Sequence, residues 1–123
     1  MLTSLFAAIS GMNANGAALS VIGDNVANMN TTAFKASRAS FGDILSQSSG
    51  TSQIGRGVSV SDVSPVFTQG SFENSANVLD VSVDGDGLFI VSDSGGTFYT
   101  RAGQFSLDKD GYIVNSNNMR MQG

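Results

Sequence analysis

Two short acidic clusters come nearest to metal-binding chemistry. Asp84-x-Asp86 and Asp108-x-Asp110-Gly111 have the alternating carboxylates of the first half of a calcium loop, which holds a hard cation through oxygen. Such a loop also needs a bidentate glutamate at its twelfth position. Counted from Asp84 that place is Gly95, and from Asp108 it is Met119. Neither cluster is flanked by a helical pattern, so both read as hairpin turns. Gly55-Arg56-Gly57 is a fragment of a dinucleotide-binding fingerprint, but its third glycine would fall on Val60 and no helix pattern follows. Arg101 stands between Phe98-Tyr99 and Phe105. An arginine so placed can stack on a ring or reach a carboxylate; equally, it can lie along a sheet face with its head in water. There is no histidine and no cysteine, which removes the commonest general base, the commonest metal ligand and any thiolate nucleophile. The remaining acids sit beside glycines in solvated turns, so the sequence predicts no enzyme, no cofactor and no metal.

Composition narrows the partners. Of 123 residues only 13% are charged and the net charge is -4, against about 25% charged in a typical globular protein. Mild acidity argues against nucleic acid and against an anionic membrane surface, both of which attract basic patches. The longest uninterrupted apolar run is far below the roughly 18 residues that suggest a spanning helix. Met1–Ile9 is apolar, but no lysine or arginine precedes Lys35, whereas a cleaved secretory signal begins with a positive region.

The elements that carry these residues are a helix and a set of strands. Leu2, Leu5, Ile9, Met12, Gly16, Leu19, Gly23 and Val26 alternate by three and four, the a/d seam of a heptad pattern. Ile22 and Met29 widen the stripe. Gly16 and Gly23 lower helix propensity and point to close approach by another backbone. The opposite side is small and neutral: Ala7, Ser10, Ala14, Ala17 and Ala18. An exposed helix normally carries charges there, so contact on several sides is expected, either with other molecules or within this domain. Asn25, Asn28 and Asn30 mark the helix end; Asn30-Thr31-Thr32 matches a glycosylation sequon by chance. A Ser/Gly-rich stretch, Ser46–Gly50, reads as a connector between Phe41 and Ile54. From Ile54 the period becomes two, with Val58 and Val60 alternating with serines, and Pro65 marking a strand edge or break. Val78–Val83, Leu88–Val91, Phe98–Tyr99 and Tyr112–Val114 follow as short runs between Gly- and Asp-rich turns, a pattern of antiparallel strands. The expected fold is α+β: a helix over 1–30, an extended connector over 31–55, and a β-rich domain over 56–123.

Several segments together resemble the rod–hook family of flagellar axial proteins. They are Leu2–Gly11; Val21-Ile22-Gly23-Asp24-Asn25-Val26-Ala27-Asn28; Thr31-Thr32-Ala33-Phe34-Lys35; Leu79–Val83; Gly85–Val91; Phe98–Phe105; and Asp110–Val114. Each is short; their order along nearly the whole chain carries the resemblance. It implies a non-catalytic, self-assembling structural subunit of the flagellar hook, with a rod protein as the alternative. The short connector after Phe41 favours the hook, because the distal rod member has an extra segment there. Asp24, Asn25, Asn28, Phe34 and Lys35 correspond to the family's helix-end motif. The family has glycine where Ala33 stands, so the turn before Phe34 is expected to differ slightly. Phe41-x-x-x-Leu45 is similar to the family's export-gate motif, and Leu2–Phe6 to its early export signal, which implies type III export without a cleaved leader to an extracellular location. The implied partners are copies of itself, rod and hook–filament junction proteins, the hook cap and the export apparatus. In assembled relatives the N-terminal helix lines an inner tube with a C-terminal helix of the same chain, and the β-rich part forms an outer layer. By that pattern Gly123 falls within the β-region, so the C-terminal helix is expected beyond this piece.

Overall fold

A computed structural model describes residues 1–45, 48–49, 52–53 and 55–123. Ser46, Gln47, Gly50, Thr51 and Ile54, within the expected connector, lie outside them. The fold is α+β, one N-terminal helix followed by antiparallel strands, in two compact units: residues 1–30 with 35–66, and residues 31–34 with 67–123.

Helix α1 spans Leu2–Ala27. It ends on Asn28, whose carboxamide donates to the Asp24 carbonyl (3.0 Å) and carboxylate (3.1 Å), while its backbone N–H donates to the same carbonyl (3.0 Å). The small face of α1 is the one turned inward. Ala14 is buried and Ala7, Ser10, Gly11, Ala17, Ala18, Val21 and Asn25 are half-buried. Against this face lies an antiparallel pair, β1 (Ser37–Asp43) and β4 (Val58–Pro65), running from Ser37 opposite Pro65 to Asp43 opposite Val58 with a register shift between Ser40 and Phe41. Pro65 is tolerated at the end of a strand in a two-stranded sheet. A short antiparallel pair, β2 (Ser48–Ser49) and β3 (Ser52–Gln53), lies between them in sequence.

Small side chains let the hairpin backbone come close. Gly57 (φ 103°) leads into β4 so near the helix that a Cβ there would meet the Ser10 hydroxyl and the Ala7 Cα. Ser10 Oγ accepts from the Val58 N–H (3.2 Å) and donates to the Ala7 carbonyl (2.7 Å). The segment expected as a connector over 31–55 thus contains strand β1, and residues 56–66 group with the helix rather than with the later strands. The partner of β4 lies about twenty residues earlier, a distance that period-two patterning does not report.

In the second unit, β5 (Phe89–Asp93), β6 (Gly96–Thr100), β7 (Ser106–Leu107), β8 (Ile113–Val114) and β9 (Arg120–Gln122) form a five-stranded antiparallel sheet in the order β6-β5-β9-β8-β7. Of the two expected acidic hairpin turns, Asp108–Gly111 joins β7 to β8, whereas Asp84–Gly87 is a bend ahead of β5 with no strand immediately before it. Gly111 (φ 82°) takes the left-handed place in the turn after Asp108, and Asn118 (φ 59°) does so in the turn between β8 and β9. Val91, Phe105 and Val114 are buried, and Phe89 meets Phe105 edge to face at 5.3 Å. Val78–Val83, expected as a strand, forms only a bridge between Asp80 and Gln104. Asp80 is instead held by Ser75 (2.5 Å) and Asn77 (3.0 Å). Beside it the Val81 N–H donates to the Gly103 carbonyl at 2.9 Å, and a side chain at Gly103 would collide with the Val81 carbonyl oxygen.

Candidate assembly surface

At 100° per residue the a/d seam lies on the side of α1 opposite the face that holds the hairpin. Its large members are open to solvent: Leu2 (70% exposed), Leu5, Ile9, Met12 (68%), Leu19 (69%) and Val26. Phe6, Ile22 and Met29 beside them are exposed too. A Cβ built on Gly16 or Gly23 would meet nothing within 4 Å, so the close approach that these glycines suit is not made among the described residues. The stripe follows a 26-residue helix, about 39 Å at 1.5 Å per residue. Burial of each large member is worth roughly 1.5–3 kcal/mol, which makes the seam a surface for association.

Length and mean hydropathy (1.4) would also let α1 cross a membrane. The hairpin speaks against that use. It is tied to α1 from Ser10 to Asn25, a length of roughly 22 Å, and each strand of its two-stranded sheet leaves an edge unpaired. Unpaired backbone edges are not stable in hydrocarbon.

The helix-end residues divide their tasks. Asn28 closes the helix through Asp24. Asn25 does not: its carboxamide donates to the Ser37 carbonyl (2.8 Å) and accepts from the Ser37 N–H (2.9 Å), pairing side chain with strand as one strand pairs with another. Phe34 and Lys35, half-buried, follow a turn in which the Phe34 N–H donates to the Thr31 carbonyl (3.2 Å). Ala33 has φ 62°, so an alanine holds a left-handed conformation that glycine adopts freely. Phe41 sits in β1 next to the register shift, and Leu45 beyond the strand is 89% exposed.

Arg101 takes neither role read for it. Its guanidinium donates to the carbonyls of Gly87 and Gly85 (2.5 Å each) and Val83 (3.4 Å), and to Gln69 Oε1 (2.8 Å). The arginine that does lie over a ring is Arg120, 4.1 Å from the Tyr112 centroid. Among the described residues no group of acidic side chains could hold a metal ion. The contacts of Asn25, Gly57, Gly103 and Arg101 are set by residues distant in sequence, and the only local mark of close backbone approach is the glycine type itself at 57 and 103.

Two families match the chain. Residues 5–35 match the one described as Flagella basal body rod protein, and residues 82–123 the one described as Flagellar hook protein FlgE/F/G D1 domain. The chain is similar to the flagellar hook protein FlgE of Borreliella burgdorferi, 39% identical over 100% of this chain and 31% of the relative. It is 42% identical to FlgE of Helicobacter mustelae over the same shares, 100% and 31%. It is also similar to the flagellar basal-body rod protein FlgG of Bacillus subtilis, 39% identical over 93% of this chain and 48% of the relative. The chain spans about a third of the length of these hook relatives.

Proposed function

The chain belongs to the rod–hook family of flagellar axial proteins, and from that membership we propose that it is the N-terminal part of a flagellar hook subunit, a structural protein that assembles into the helical tube joining rod to filament. The observation that carries this reading is the open apolar seam of α1, with Gly16 and Gly23 in it, on the side away from the chain's own hairpin. The seam supplies the helix-to-helix contacts of the tube's inner core, against a helix from elsewhere in the same subunit and against neighbouring copies. The two glycines let those helices approach closely. The β-rich part supplies outer contacts that are mostly neutral and slide without breaking strong ion pairs, in keeping with the low charge of 13%. If so, the bending stiffness of hooks changes little with salt; a steep dependence would contradict the sliding role. Rod and junction proteins and the hook cap are its neighbours during assembly, and Phe41 and Leu45 with Leu2–Phe6 serve type III export to the cell exterior. No catalytic residue, cofactor, nucleic acid or membrane enters this function.

The similarity to FlgG, which extends over 93% of the chain, supports a second reading, a rod subunit. Mass spectrometry of fractionated hook–basal bodies separates the two. Abundant peptides of this chain in the hook fraction, from a subunit heavier than 12.7 kDa, are expected; peptides confined to the rod fraction would move the assignment to the rod, and absence from both would overturn it.

A further inference from the structure

The last rung of the β5–β6 hairpin pairs Phe89 with Thr100. One residue further on, where the backbone ladder stops, Arg101 reaches back across the hairpin's open end to the turn that precedes β5. There the carbonyls of alternate residues Val83, Gly85 and Gly87 face one place, joined by Gln69 Oε1. Alternate carbonyls of an extended chain point to one side, and at Gly85 (φ 86°) the chain bends through a conformation open to glycine. Gln69 Nε2 also reaches the Val83 carbonyl at 3.5 Å, so the segment at Gln69 is held both by the turn and by the guanidinium.

We propose that the Val83–Gly87 turn and Gln69 form a guanidinium-selective carbonyl cradle, and that Arg101 is the positioning residue that fills it, fixing the turn and the Gln69 segment onto the sheet. Converging carbonyl oxygens create a negative potential that favours a cation, and the shape of the cation is decided by the fork. Nη1 takes Gly87 while Nη2 takes Gly85 and Gln69, a spread of acceptors that a planar guanidinium spans and a compact ammonium on a shorter stem does not. The cradle lies within the second unit, so it stands or falls independently of the assembly role of α1.

Three readouts on the whole chain test it. In the wild type the Nη protons of Arg101 are expected as separate, slowly exchanging NMR signals; one averaged signal, like that of exposed Arg38, overturns the cradle. Arg101→Lys is expected to lose about as much thermal stability as Arg101→Ala, whereas retention of wild-type Tm by the lysine variant overturns guanidinium selectivity. Added methylguanidinium is expected to raise the Tm of Arg101→Ala and shift the carbonyl signals of residues 83–87, while methylammonium at equal ionic strength does neither. Equal effects of the two cations, or none, count against the site. If Arg101→Ala does not fold, Gln69→Ala decides: it is expected to let the Arg101 Nη protons exchange several-fold faster without loss of the sheet, and unchanged exchange overturns the role given to Gln69.

Discussion

Asn25 pairs both ends of its carboxamide with one backbone residue, Ser37, and this makes its substitutions sharply unequal. Asn25→Ala removes two part-buried hydrogen bonds and is expected to destabilise the first unit by about 1–3 kcal/mol. Asn25→Asp keeps the acceptor but sets a carboxylate oxygen against the Ser37 carbonyl, so urea unfolding should rank it below the alanine variant. Gly103 is packed against the Val81 backbone, where neither neighbour can yield cheaply. Gly103→Ala should therefore cost about 3 kcal/mol or more and broaden the amide signals of the β5–β9 sheet. Ala33 lies the other way. Relief of its left-handed backbone outweighs the added freedom of the unfolded chain, so Ala33→Gly should gain roughly half a kcal/mol. The sequence marks such residues by type but not by partner. Asparagines near a helix end read as terminators, which holds for Asn28; the contact of Asn25 is twelve residues away and leaves no local trace. Arg101 was conspicuous between aromatics, yet three of its four acceptors are main-chain carbonyls, which every residue has.

At the scale of elements, α1 was legible because its heptad spacing is unbroken from Leu2 to Val26. Which face turns inward was not legible, since neither the apolar seam nor the alanine face carries charge. Size decides it: alanine, serine and glycine admit a strand backbone at a distance that leucine and methionine forbid. Strand β1 was hidden for a related reason. Arg38-Ala39-Ser40-Phe41 alternates polar with apolar over only four residues, the register shift after Ser40 breaks the burial period, and the strand's reason for existing is the helix beside it. Neither element is strong alone. The helix lacks the i,i+4 ion pairs that support isolated helices, and a lone two-stranded sheet is marginal in water. Helix and hairpin should consequently fold as one cooperative unit. Gly57→Ala, which places a methyl group against Ser10 and Ala7 and strains φ 103°, is expected to cost about 2–4 kcal/mol. Hydrogen exchange should then rise together in α1, β1 and β4 and stay unchanged in β5–β9; a rise in the hairpin alone would contradict the cooperative unit.

At the scale of the molecule, the Asp108–Gly111 turn, the antiparallel strands and the α+β class follow from turn chemistry and period two, and they are where reading the sequence reached furthest. The division into units did not follow, because β4 belongs with the helix and not with the strands that come after it. What the described residues of the first unit leave open is the seam of α1, and the central claim is that this seam is covered on assembly. These 123 residues have no cysteine, so once any cysteine elsewhere in the subunit is replaced by serine, a thiol introduced at Met12 or Leu19 reports on that face alone. In full-length subunits carrying Met12→Cys or Leu19→Cys, a water-soluble maleimide should label the thiol readily before assembly and at least tenfold more slowly in purified hooks, about 1.4 kcal/mol of protection. Equal labelling rates in the subunit and the hook would mean that the seam stays open in the polymer, and would contradict the account.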